Sequence, residues 1–322
     1  MLKQKAKSKY FGFMILVLAI VGIILTNGCV PSKEVDIKLN QIDAIVKVMN
    51  ERLVKLDTEL EKEKPDYSQA KVLISGIKSD VDEIKKILAG INLKIATETQ
   101  KRIMKARQLN TEAALLSVAA TESVIEGQLA IEVWGALLTV PDFKKINFAE
   151  AKKELKKAEI AFNTTAKHTK AALEKTKQID LEVLSPEAKS QIAQIKTLLQ
   201  EDVDAIPYFS PLILGCKTFT DGFQALVKGL IALEELGDLT RAKAESKVAE
   251  RKFLESAFAF KLVRDKGPIE WKPMMIGLSA EVDILSTVIG HLVKGIEYAE
   301  QGNIEAAEKE FAEADKLLAT LP

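Results

Sequence analysis

Side chains able to carry chemistry are few in this chain and stand far apart. It holds two histidines, His168 and His291, and two cysteines, Cys29 and Cys216, in 322 residues. Neither histidine follows a glutamate by three positions, so the Glu-x-x-His pattern of di-iron bundles is absent. No His-Glu-x-x-His, Cys-x-x-Cys, Walker, dinucleotide-binding or Gly-x-Ser-x-Gly run occurs either. Ser75-Gly-Ile-Lys78 fits Ser-x-x-Lys but lacks its companion motifs, and an amphipathic helix produces such matches by chance. His168, among Lys and Thr, is expected on a solvated face. His291, in an apolar helical stretch, is expected to need a hydrogen-bond partner and to be structural. The carboxylates of Asp80, Asp82 and Glu83, and those of 305–313, read as wet helix faces. Asn163-Thr-Thr165 has the form of a glycosylation sequon. These residues predict no enzyme, no cofactor and no metal.

Cys29 is different because of what precedes it. Lys3, Lys5, Lys7 and Lys9 make a basic head, residues 11–25 are apolar, and Thr26-Asn27-Gly28 lead into the cysteine. That order is the layout of an export signal. It resembles a bacterial or archaeal lipoprotein signal, which implies cleavage before Cys29 and lipid attached to it. Leu25 stands four before the cysteine and Asn27 two before, where that family usually has Leu at three and a small residue at two. The alternative is an uncleaved anchor, short of the roughly 20 residues that span a bilayer. Either reading places the body of the protein outside the cytoplasm, at the cell envelope.

Composition limits what that body can be. Apolar residues make up 47% and charged ones 29%, with 16 Gly and 9 Pro, a folded helical composition. The chain is formally neutral, so one starting at Cys29, without the four head lysines, carries −4. No basic cluster with interleaved aromatics is present, which argues against nucleic acid as a partner. Cys216, in Pro211-Leu-Ile-Leu-Gly-Cys216, reads as a buried inert thiol, and no disulfide framework exists.

The elements that must hold these residues are helices. Val35, Leu39, Ile42, Val46, Met49, Leu53, Leu56 and Leu60 alternate at spacings of four and three, an unbroken heptad seam. After Pro65 the alternation resumes from Tyr67 through Ile74, Ile77, Val81, Ile84 and Leu88 to Ile95. Two antiparallel helices are predicted, each about 40 Å long. Their seam packs inside the molecule or, as the alternative, against another chain. A third long helix is expected from 97 to about 140, its inward face small at Ala106, Ala113, Ala114, Ser117, Ala119, Ala120 and Gly127. A fourth runs from 147 to about 179, and Ser185-Pro186 caps a fifth.

Two apolar stretches interrupt the pattern. Residues 205–216, AIPYFSPLILGC, read as a buried connector or as the floor of a ligand groove. Residues 267–275, GPIEWKPMM, read as a stiff loop. Tyr208, Phe209, Trp271, Met274 and Met275 are thus the candidate contacts for a partner or apolar ligand, although a Trp plugging a bundle end is the plainer reading.

Four places share one pattern: Asp66-Tyr-Ser-Gln-Ala70, Asn147-Phe-Ala-Glu-Ala151, Asp238-Leu-Thr-Arg-Ala242 and Asn303-Ile-Glu-Ala-Ala307. Each puts Asp or Asn at a helix N-cap and Ala one turn in. Gly237 and Gly302 precede the last two, and Leu226-Val-Lys-Gly229 recurs as Leu292-Val-Lys-Gly295. This resembles the turn of a tetratricopeptide repeat, which implies stacked antiparallel helix pairs; the family's even spacing of 34 residues is missing.

The expectation is therefore an all-α protein: signal 1–28, lipidated tether 29–34, a long-helix region 35–140 and a hairpin region 141–322, or one domain over 35–322. Its expected role is a membrane-anchored, non-enzymatic scaffold or adaptor for an envelope protein. The alternative is a receptor for a small or apolar ligand held between hairpins.

Overall fold

A computed structural model of the chain describes residues 33–320 except 61, 63–65, 141 and 236. The signal, Cys29, Pro65 and Pro141 lie outside the described residues. Among those described there is no β-strand, and nine α-helices follow in order: α1 (Lys33–Leu60), α2 (Tyr67–Ala89), α3 (Glu98–Leu138), α4 (Phe148–Lys177), α5 (Pro186–Ala205), α6 (Phe209–Glu234), α7 (Leu239–Lys266), α8 (Lys272–Glu300) and α9 (Ile304–Leu318). The protein is all-α.

The described residues form two compact units, one of 33–125 with 161–206, the other of 126–160 with 207–320. The division runs through α3 and α4. A helix ladder does not break where a core ends, so turn residues alone do not mark the partition.

In the first unit α1 and α2 form the antiparallel hairpin of the heptad pattern. Val35, Leu39, Ile42, Val46, Met49, Leu53 and Leu56 are all buried, as are Ala70, Ile74, Ile77, Val81 and Ile84 opposite them. Each such Val, Leu, Ile or Met side chain contributes roughly 1.5–3 kcal/mol by leaving water. Glu59 closes the turn by accepting the Asp66 backbone N–H at 2.9 Å, while Asp66 caps α2 through Ser68 and Gln69. The second helix stops at Ala89, short of the Ile95 expected. Gly90 is a weak helix former, its carbonyl accepts from Lys38 Nζ at 2.5 Å, and Asn92 then turns the chain by accepting from Lys94 N. Ile95 is consequently exposed.

Helix α3 begins with a reciprocal cap, Gln100 N to Thr97 Oγ1 at 3.1 Å and Thr97 N to Gln100 Oε1 at 2.9 Å. Of its predicted small inward residues Ala106, Ala113, Ala114, Ser117, Ala120 and Gly127 are buried and Ala119 is half-buried, and much of its remaining circumference is buried too. Arg107 is buried too, donating to Asp43 Oδ1 at 2.7 Å and to the Leu39 carbonyl at 3.2 Å. Asp80, expected on a wet face, is instead buried and ion-paired with Arg52.

In the second unit α6, α7, α8 and α9 pack consecutively, each on the next. Gly237 and Gly302 adopt φ of +60° and +76°, which side-chain-bearing residues rarely do. Asp238 and Asn303 follow as N-caps. The alanine one turn into all four repeated caps, Ala70, Ala151, Ala242 and Ala307, is buried. Close approach in the α6–α7 pair is set by glycines one heptad apart. A Cβ on Gly215 or Gly222 would meet the ring of Phe260 or Phe253, and one on Gly229 would meet Ala242 and Ser246.

Candidate functional site

Both apolar stretches singled out in the sequence become helix starts. Pro207 lies in a short 3-10 turn, Ile206–Tyr208, after which α6 runs unbroken. Pro211 sits in its first turn, where no intrahelical N–H is needed, so residues 209–216 are helix rather than connector. Similarly, a 3-10 turn at Ile269–Trp271 leads into α8 with Pro273 in its first turn, so Met274 and Met275 are helical.

The two starts meet. Phe209 and Trp271 stack with ring centroids 5.8 Å apart and planes at 30°. Phe209, Trp271 and Met275 are buried, while Tyr208 and Met274 remain half-buried. Three of the five candidate contact residues are thus core, with Trp271 filling the place between helix ends. An apolar ligand would have to displace that ring.

A second aromatic group was not singled out beforehand. Trp134 of α3 meets Phe219 of α6 edge-on at 6.1 Å, Phe219 meets Phe253 of α7 at 5.6 Å, and Phe223 meets Phe148 of α4 at 6.1 Å. Trp134 Nε1 donates to Thr220 Oγ1 at 2.9 Å, and that hydroxyl donates to the Cys216 carbonyl at 2.8 Å. The signal available was the seven-residue repeat of Gly215, Gly222 and Gly229 against Phe253 and Phe260. Cys216 lies fully buried in this unit, and burial pushes its thiol up, away from the thiolate that reacts.

His291 Nδ1 lies 2.6 Å from Glu310 Oε2, the partner its apolar setting required, and links α8 to α9. His168 is half-buried, not solvated. It borders the face of α4 on which Thr165, Thr169 and Ala172 are buried, and its Nδ1 has no hydrogen-bond partner. Burial, and then the neighbouring Glu201, raise the Asp202 carboxyl to about 7. Burial likewise raises Glu281, in the other unit. Neither acid is joined to a second acid, a histidine or a nucleophile by a hydrogen bond among the described residues. No group of three or more metal-ligand side chains occurs among them either.

Helices α3 and α8 are long and apolar enough to cross a bilayer by length and composition, yet most of the apolar window of α3 is buried within the protein. The comparisons add no relative: no known protein family, curated protein or solved structure matches this chain.

Proposed function

We propose that this is an extracytoplasmic lipoprotein, tethered to a membrane by lipid on Cys29, that acts without catalysis as a scaffold or adaptor for another envelope protein. The observation carrying this reading is the consecutive packing of α6, α7, α8 and α9. Helices stacked in this way each spend one side on their neighbours and keep another side for contact. Buried and half-buried ionic and polar groups in the structure join helices to one another: Arg107 with Asp43, Arg52 with Asp80, His291 with Glu310. The tether reading rests on the basic head, the apolar run and the cysteine that ends it.

Crosslinking in intact membranes followed by purification tests the scaffold. One envelope protein, recovered stoichiometrically and lost when exposed helix faces are altered, is the expected result; a monomer with no crosslinked neighbour in native membranes refutes it. For the tether, Cys29→Ser should leave an unprocessed precursor or release the protein. Unchanged size and retention would refute lipidation.

A further inference from the structure

Helix α7 carries an outward strip that its own fold does not explain. At 3.6 residues per turn, Ala244, Lys247, Arg251, Leu254, Phe258 and Leu262 fall within about 80° of one another, along about 27 Å of helix. Phe258 is 74% and Leu254 62% exposed, and Lys247 and Arg251 are exposed beside them. Phe258 has the largest exposure among the exposed large hydrophobic side chains described, and it lies one turn from Leu254. The opposite side of α7, with Phe253, Ala249, Phe260 and Val263, is fully buried.

The charges on the strip are of one sign once the local pairs are taken out. Glu255 is bound to Lys252, and Asp265 to Lys261 and Arg264. Lys247 and Arg251 have no ion-pair partner among the described residues, and Glu250, also without one, stands at the margin of the strip. Exposed apolar side chains, here Leu254 and Phe258, beside the cations Lys247 and Arg251 on one helix side are the composition of a surface that lies in the headgroup layer of an anionic bilayer. There the ring enters the acyl boundary and the long cationic stems reach back to phosphate.

We propose that the outer strip of α7, through Leu254, Phe258, Lys247 and Arg251, is a second membrane contact that lays the protein on anionic lipid. This deepens the tethered-lipoprotein reading and rests on it for the presence of a nearby bilayer, but the contact has its own chemistry and its own test.

The test uses the full chain carrying Phe258→Trp, reconstituted with vesicles whose acyl chains are brominated, of phosphatidylglycerol or of phosphatidylcholine. Because Phe258 is mostly exposed, the substitution leaves the core intact, and the unmodified chain supplies the background from buried Trp134 and Trp271. In phosphatidylglycerol the introduced indole should lose about half or more of its emission, since the apolar side of an interfacial helix sits roughly 5–10 Å into the boundary. Quenching should be weak in phosphatidylcholine and lost on adding Lys247→Glu and Arg251→Glu, with far-UV circular dichroism unchanged. An indole unquenched in anionic vesicles overturns the proposal, as does quenching indifferent to charge reversal. So does finding the same position covered by a protein in native membranes. Fractionation of the Cys29→Ser chain reports separately on the tether, so a failed tether and a failed strip give different results.

Discussion

Adding one methyl group at Gly215 tests how closely α6 and α7 approach. A Cβ there would stand 2.5 and 2.6 Å from Cε1 and Cδ1 of Phe260, against about 3.5–4.0 Å for carbons in contact. About 1 Å of displacement must therefore be found by a fully buried ring. Overpacking of this kind costs roughly 1–3 kcal/mol. Alanine's better helix propensity returns about 1 kcal/mol, so Gly215→Ala should leave the protein up to about 2 kcal/mol less stable. Gly290 supplies the control. It is exposed on α8 with nothing within 4 Å of its would-be Cβ, so Gly290→Ala should gain about 1 kcal/mol. Phe260→Leu combined with Gly215→Ala should be less damaging than the sum of the two, a coupling expected only for side chains in contact. The assay is urea unfolding of the full chain followed by circular dichroism. Because two compact units need not melt together, thiol labelling of Cys216, which lies on α6, is followed alongside. A Gly215→Ala protein as stable as Gly290→Ala would refute the reasoning.

Thr220→Val should strand the Trp134 indole N–H and cost about 1–3 kcal/mol, whereas Thr218→Val, whose hydroxyl bonds only its own preceding turn, should cost less; urea midpoints compare them. Asp202 should make stability fall as pH rises. Its carboxyl is raised to about 7 against about 3.9 unfolded, so between those values the native chain holds a proton the unfolded chain has lost. The contribution is full below pH about 4 and gone above about 7, with a slope of at most about 1.4 kcal/mol per pH unit. Asp202→Asn should remove that slope and stabilise the protein at pH 8, which midpoints at pH 4.5 and 8 would show. Asp43→Ala should cost up to about 3 kcal/mol by leaving the Arg107 guanidinium buried without its carboxylate, while Arg107→Leu should be milder; thermal melts separate the two. In a Cys29→Ser background, Cys216 should react with maleimide only as fast as the protein opens, being fully buried.

Helix existence and the first hairpin's core were legible because a seam of Leu, Ile and Val at spacings of three and four has one physical meaning. Seven of the eight α1 seam positions are buried, with Leu60 at the helix end only half so. The caps at Asp66, Asn147, Ser185, Asp238 and Asn303 were legible for a similar reason: each side chain accepts a backbone N–H within its own first turn. What was not legible depends on partners distant in sequence. Asp80 looks like any wet acid until Arg52 is brought to it across a hairpin. Gly76 looks like a helix weakness until the Arg52 side chain is seen lying against it, Nη1 donating to its carbonyl at 3.2 Å. Prolines misled in the other direction. Pro211 and Pro273 suggested loops, but in a first turn the missing N–H has no carbonyl to serve.

The glycines of α6 have a consequence for how this hairpin chooses its alignment. Gly215, Gly222 and Gly229 are evenly spaced, and so are Phe253 and Phe260, so sliding one helix by seven residues would still set Phe260 against Gly222 and Phe253 against Gly229. Knobs and notches alone therefore permit two alignments. The connector decides between them: Gly237 at φ +60° lets the Asp238 N–H reach the Ala232 carbonyl at 2.9 Å, and so short a clasp leaves no slack for a slide. Lengthening it by one heptad would turn a single alignment into a choice.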